Sequence, residues 1–404
     1  MAKSLNIAII ACEPSGDLLA ANLINELNNN FQFKNSDNNI IFFGVTGPKM
    51  EQAGCQKIFS IEELSVMGIF EIIKYLPKLI KLRNNILEII LDRNPDLVIA
   101  VDAPDFNLGL EKKIKKANKN IKVIHYVSPS IWAWRKNRIK TIKKAVDRVL
   151  CLFPFEVDLY YQNKISANYV GHPLVEKYSF QDRNKKNIAR ANLKLNNNDI
   201  VIGLLPGSRR SEIEAIFPVM IDYIKQYNNN LKNFKFVIAL SNNKYKHYIE
   251  SSIDKLIKFL LDNNPKNNTD LINVDIYISD DSEEVMYASD LLLCASGTVT
   301  LEAALIGVPM IVMYYLSNIT WLIAKLLVSS KFASLPNIIL NKEAVPELLQ
   351  KELTAYNINI YVDKILHNAQ YRNDIINDLA KIKSSFDSSK KYLLSDSISE
   401  VIYS

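Results

Sequence analysis

Short apolar, β-rich runs alternate with longer amphipathic stretches along most of this 404-residue chain, a rhythm that admits few folds beyond parallel sheets covered by helices. Strands are predicted at 5–11, 40–45, 97–101, 123–127, 149–153 and a short piece at Tyr169. A second series is predicted at 200–205, 236–240, 275–278, 291–294 and 310–314. The stretch 178–187 between the series is polar and predicts a linker. The expected architecture is therefore α/β: two doubly wound Rossmann-like domains, 1–177 and 188–360, facing a cleft, with a C-terminal helical tail, 361–404, packing back on them. Asn-rich pieces at 28–30, 196–198, 228–230 and 263–268 suit turns and loops.

A hydrophobic content of 48% suffices for a large core. No apolar run approaches the roughly 18 to 20 residues needed to span a bilayer. The apolar start of the chain is followed by Glu13, Pro14, Ser15, Gly16 and Asp17 rather than a cleavage region, so it reads as a first strand. Cys12, Cys55, Cys151 and Cys294 lack CxxC spacing, which argues against a zinc site or disulfide framework and for a reducing cytoplasm. The net charge of +6 suits a phosphorylated ligand or an anionic membrane surface. Without a long basic run or basic and aromatic interleaving, nucleic acid is not an expected partner.

Two loops of the second half suit a phosphate-bearing ligand. Gly203-Leu204-Leu205-Pro206-Gly207-Ser208-Arg209-Arg210 follows a strand and runs into a helix start at Glu212 and Glu214. Gly207 and Ser208 can offer backbone N–H groups to phosphate oxygens and Arg209 a bidentate charge, although an ordinary turn with a solvated Arg has the same pattern. The second loop, Ala295-Ser296-Gly297-Thr298, again places small residues and hydroxyls at a helix N-terminus. If Thr298 is the cap, Glu302 lies one place beyond the capping-box position, where it either grips both ribose hydroxyls of a nucleotide or simply complements the helix dipole. Together these loops resemble the donor half of GT-B glycosyltransferases that use UDP-sugars. Neither matches a GxGxxG or Walker loop.

The first half carries Glu13-Pro14-Ser15-Gly16-Asp17 after the first strand, and Gly44-Val45-Thr46-Gly47-Pro48-Lys49-Met50. It continues with Asp102-Ala103-Pro104-Asp105-Phe106-Asn107, His125-Tyr126-Val127-Ser128-Pro129-Ser130-Ile131-Trp132-Ala133-Trp134-Arg135, and Gly171-His172-Pro173-Leu174. These motifs, with Leu205-Pro206-Gly207-Ser208-Arg209, closely resemble the lipid-A-disaccharide synthases from about Ile7 to Leu349. One departure from the family's pattern is Cys12, in place of Gly.

The resemblance implies transfer of 2,3-diacylglucosamine from UDP to 2,3-diacylglucosamine 1-phosphate, giving a β-1,6-linked disaccharide and UDP with inversion. It implies no metal and no cofactor. Asp102 is the expected general base for the acceptor's 6-hydroxyl, and Arg209 the group stabilising the departing UDP. Asp102 and Asp105 also read as turn-capping residues around Pro104. Glu13, Ser15, Gly16, Asp17, Asp105, His125 and Trp132 are placed on the acceptor side. His125 equally suits a structural histidine, His172 a hinge residue, and Trp132, Trp134 and Tyr126 core packing.

Acylated substrates imply contact with lipid at the inner face of the inner membrane. The stretch 66–83, with Lys74, Lys78, Lys81 and Arg83, suits either an interfacial helix pair divided at Pro77 or core helices with a basic solvent face. Rival functions are another UDP-sugar GT-B enzyme, such as a muramyl-type transferase or UDP-N-acetylglucosamine 2-epimerase, and a non-catalytic two-lobed binding protein. A homo-oligomer is left open.

Overall fold

Runs of Val, Ile and Leu long enough for a strand and too short for a helix form the centres of two parallel sheets. A computed structural model describes residues 4–30, 40–64, 72–133, 135–227, 234–240, 242–263, 274–317, 320–321, 330–386 and 391–404. They divide into two compact units, Met1–His172 with Asp387–Ser404, and Pro173–Phe386.

The first unit contains β1 (Leu5–Ala11), α1 (Pro14–Asn29), β2 (Ile40–Thr46), α2 (Pro48–Gln52), β3 (Gln56–Ser60), α3 (Ile72–Arg93), β4 (Leu97–Val101), α4 (Pro104–Ala117), β5 (Lys122–Tyr126), α5 (Arg138–Ala145), β6 (Arg148–Cys151), α6 (Pro154–Gln162) and β7 (Ala167–Tyr169). Its strand order is β3-β2-β1-β4-β5-β6-β7. The order reverses between β1 and β4, the point at which open α/β sheets bind ligands beyond their carboxyl ends. There Ala11 pairs with Val101, so Cys12 and Asp102 leave the sheet side by side.

The second unit contains α7 (Pro173–Lys177), α8 (Arg183–Asn192), β8 (Ile200–Leu205), α9 (Arg210–Tyr227), β9 (Phe234–Ala239), α10 (Lys246–Asp262), β10 (Asp275–Ser279), α11 (Ser282–Ala288), β11 (Leu291–Ala295), α12 (Thr298–Ile306), β12 (Met310–Tyr314), α13 (Leu335–Leu340), β13 (Glu347–Leu349), α14 (Ala355–His367) and α15 (Ala369–Ser385). Its order, β10-β9-β8-β11-β12-β13, reverses between β8 and β11. Leu205 pairs with Cys294 there, which sets the loop after β8 beside the loop after β11.

Central strands match the expected runs, whereas β3 and β13 were not anticipated. Both are edge strands; β3 is only half-buried and β13 has three residues, so neither carries a long apolar run. The expected linker at 178–187 is instead packed structure of the second unit. The Gln181 N–H donates to Ile306 O at 2.7 Å, and the Asp182 carboxylate caps α8 by accepting from Asn184 and Lys185 N–H. The stretch looks polar because α8 buries little beyond Ala189 and Arg190.

The tail divides between the units. α14 and α15 belong to the second, while α16 (Leu394–Ile402) buries Ile398 and Val401 in the core of the first. Asn168 donates to the Ser397 hydroxyl at 3.0 Å, and Arg148 to Ser397 O at 3.1 Å.

Helix α3 runs unbroken through Pro77, contrary to the expected division. Pro77 has no N–H, so the helix carries it at the loss of one intrahelical bond. Leu82, Ile86 and Ile90, four residues apart, bury one face, while Lys78, Ile80 and Lys81 remain exposed. The remainder of the membrane candidate, 66–71, lies outside the described residues. Among the described residues no helix is long and apolar enough to cross a membrane.

Candidate active site

At the carboxyl edge of the first sheet, β4 is followed by two consecutive left-handed residues, Asp102 (φ 52°) and Ala103 (φ 44°). Next to them, at the end of β5, Val127 has φ 76°, a value that β-branched residues rarely adopt. Such backbone costs on the order of 1 to 3 kcal/mol per residue and persists only where its surroundings hold it. Here the Asp102 N–H donates to Tyr126 O at 2.8 Å, Val127 N–H to Leu150 O at 3.0 Å, and the buried Asn107 amide to Val101 O and Asp102 O at 3.2 and 2.8 Å. The result is a half-buried Asp102 carboxylate presented into a cavity of about 350 Å³, which Asp105, Ser128, Ser130, Arg138 and Glu156 also line.

Glu156, which the sequence did not single out, is buried beside this cavity. Its carboxylate accepts from Trp132 Nε1 at 3.0 Å and from Phe153 N–H at 3.3 Å, with Ser128 as a further partner. Burial outweighs these bonds and pushes its pKa up to about 8, so the carboxyl holds its proton at neutral pH. The signal was present in Phe153-Pro154-Phe155-Glu156: a strand end, Pro at the first helical position and an acid at the third. Trp132 is thereby fixed by Glu156 and by edge-to-face contact with Phe155 at 5.6 Å between ring centroids. Trp134 lies outside the described residues.

Other first-unit candidates are placed differently. Glu13 and Ser15 are exposed at the start of α1, and Gly16 is buried against Val101. Asp17 does not face a ligand: it is 2% exposed and accepts from the Gly47, Lys49 and Met50 N–H groups. These bonds cap the short α2. His125 is fully buried, with Nδ1 2.5 Å from Glu111 Oε1, and is not among the residues lining the cavity. Burial lowers the His172 pKa to about 4, so that ring is neutral at physiological pH. Cys12 has no left-handed backbone and its thiol reaches Asn107 Oδ1 at 3.8 Å, so the first turn accommodates a side chain.

In the second unit, Gly207 has φ 117°, and a Cβ there would stand 2.7 Å from that of Glu212. The Ser208 N–H, expected to be open for phosphate, and the Arg209 N–H donate to Glu212 Oε2 at 3.1 and 3.2 Å. Arg209 itself is mostly exposed and meets Glu212 Oε1 at 3.2 Å. A carboxylate of the chain thus occupies an anion-binding turn at a helix N-terminus.

Helix α12 is capped by Gly297, not Thr298, and no side chain caps its first turn. Among the described residues nothing lies within 4 Å of where a Cβ on Gly297 would stand. Ser296 is engaged by its own chain, its hydroxyl donating to Ala333 O at 2.7 Å and its N–H to Met313 O at 2.8 Å. Glu302 accepts from the Tyr178 hydroxyl at 2.8 Å, a positioning contact that the expected linker concealed.

A second cavity, about 290 Å³, opens at the amino ends of β11 and β12, where Asp290 pairs with Lys186 and Arg190. It is remote from the strand ends at which this fold class binds ligands. Among the described residues no group of three or more His, Cys, Asp or Glu could hold a metal ion. All four cysteines are free and buried.

A family model described as lipid-A-disaccharide synthetase matches residues 7–397. The chain belongs to the lipid-A-disaccharide synthase family. It is 38% identical over 359 residues to the lipid-A-disaccharide synthase of Alteromonas mediterranea, covering 89% of each chain. The synthase of Wigglesworthia glossinidia brevipalpis is 40% identical over 352 residues, covering 87% of this chain and 85% of the relative.

Among solved structures, UDP-GlcNAc 2-epimerase from Neisseria meningitidis has a TM-score of 0.57 at 14% identity, with 99% of each chain covered. Acinetobacter baumannii MurG has a TM-score of 0.53 at 12% identity, again with 99% of each covered. These likenesses show the fold alone: two Rossmann-like domains of the GT-B class, as expected. Membership of the synthase family makes the chain a glycosyltransferase of lipid A biosynthesis.

Proposed function

We propose that the chain moves a 2,3-diacylglucosamine unit from UDP to the 6-hydroxyl of 2,3-diacylglucosamine 1-phosphate, releasing UDP. The family match over residues 7–397 carries this reading, and Asp102 at the reversal point of the first sheet agrees with it. In the proposed step the acceptor oxygen bonds to the anomeric carbon as the bond from that carbon to the diphosphate breaks. The hydroxyl proton passes to Asp102, and a single displacement inverts the centre. The loop at Gly297 holds the diphosphate together with the loop at Gly207, where the diphosphate takes the place of the Glu212 carboxylate, while Glu302 holds the ribose and Arg209 the negative charge that grows on UDP.

The deciding assay supplies purified protein with UDP-diacylglucosamine and the acylated monosaccharide phosphate, and follows UDP release and product mass. Disaccharide formed in step with UDP supports the reading; an epimerised nucleotide sugar or binding without turnover overturns it.

Arg209→Ala is expected to reduce kcat/KM by roughly 10- to 100-fold and to weaken UDP binding, as loss of a charge-assisted contact commonly does. Unchanged kinetics would remove Arg209 from the site.

The acylated substrates place the enzyme at an anionic membrane surface, where the exposed Lys78 and Lys81 of α3 supply charge. Each lysine near such a surface contributes about 1 kcal/mol. The double change Lys78→Glu with Lys81→Glu is expected to lower sedimentation with phosphatidylglycerol vesicles at least tenfold. Equal sedimentation of both proteins would move the contact elsewhere.

A further inference from the structure

The cavity that holds Asp102 also contains a cation that the reaction outlined above leaves without a task. Among the described residues lining it, Arg138 is the only basic side chain, and just 13% of that side chain is exposed. Arg135 lies beside it: both guanidinium groups donate to one oxygen, Asp105 Oδ1, Arg135 at 2.5 Å. The Asp105 side chain is 71% exposed and sits at the outer side of the cluster. Two guanidinium groups thus gather on one carboxylate beside Asp102.

Two further features make this corner suited to an anion. Helices α4 and α6 both begin at the cavity wall, at Pro104 and Phe153-Pro154, so the positive ends of two helix dipoles meet there. Glu156, the remaining acid in the wall, is kept protonated by burial and adds no opposing charge. The planar fork of Arg, already on a carboxylate, matches the geometry of phosphate oxygens equally well.

We propose that Arg138, assisted by Arg135, forms the subsite for the phosphate monoester on the acceptor sugar. The proposal rests on the reaction given above, in which the acceptor carries its phosphate on carbon 1 and reacts through its 6-hydroxyl. Binding the phosphate at Arg138 orients the ring so that the hydroxyl at its other end reaches Asp102. Asp105 then acts as the resident anion that keeps the two guanidinium groups together before the acceptor arrives.

The experiment compares two acceptors, 2,3-diacylglucosamine 1-phosphate and its dephosphorylated form, with wild-type enzyme and with Arg138→Gln and Arg135→Gln. The quantity read is the ratio of kcat/KM for the phosphorylated over the dephosphorylated acceptor. Wild type is expected to favour the phosphorylated acceptor, and Arg138→Gln to lower that ratio on the order of 10- to 100-fold, with a smaller drop for Arg135→Gln. UDP affinity, measured by calorimetry, stays within about twofold and confirms that each variant is folded. Equal losses on both acceptors would overturn the subsite, as would a fall in UDP affinity that assigns the arginine to the donor's diphosphate. Failure of the wild-type enzyme to form disaccharide from either acceptor would instead overturn the reaction itself.

Discussion

Asp102→Asn is expected to lower kcat by roughly 100- to 10,000-fold, the range spanned by loss of a positioned general base. The substitution is nearly isosteric, and Asn tolerates the left-handed backbone that residue 102 adopts at φ 52°. The Asp102 N–H bond to Tyr126 and the Asn107 bond to the Asp102 carbonyl involve only main-chain atoms of residue 102 and survive the change. UDP affinity should therefore remain within about twofold, since the loops assigned to UDP belong to the second unit. The measurement is single-turnover formation of disaccharide beside calorimetric UDP binding. Turnover within tenfold of wild type would transfer the base to another group, and loss of UDP binding would show that the change damages more than the proton transfer.

Central features of the fold were legible because their physics is local. A run such as Leu97-Val98-Ile99-Ala100-Val101 is buried on both faces of a parallel sheet, so its composition alone marks it as a strand. The loops after β1, β4, β8 and β11 were legible for a related reason: small residues, Pro and acids must follow where a strand turns into a helix. Edge strands β3 and β13 and the packed segment around Asp182 were not, because their place depends on partners distant in sequence. Glu302 could be singled out from its position in α12, but its contact with Tyr178 spans 124 residues. The same limit hid Arg138 and Glu156, whose meeting in one cavity with Asp102 follows from the order of β4, β5 and β6 in the sheet.

The same limit hid the partners of Asp17, which lie 30 to 33 residues away in the sequence. Gly16-Asp17 after a first strand looks like a ligand loop, yet Asp17 Oδ1 accepts from Gly47 and Met50 N–H, each at 3.0 Å, and Oδ2 from Lys49 N–H at 2.9 Å. Helix α2 has five residues, too few to sustain itself without an external partner for its first N–H groups. The contact is close enough that a Cβ on Gly47 would lie 2.5 Å from the Asp17 carboxyl carbon.

Asp17→Ala removes the acceptor of three backbone donors at once. The expected destabilisation is about 3 to 5 kcal/mol, the sum of lost charged hydrogen bonds and uncompensated N–H groups less some relaxation of the turn. Because the chain has two units, the effect should appear as earlier unfolding of the first, with the Gly47, Lys49 and Met50 amides losing hydrogen-exchange protection before those of the second. Well below that transition the KM for the acceptor should stay within about twofold. A variant that melts like wild type but binds acceptor tenfold more weakly would return Asp17 to the binding surface and end its assignment as a cap.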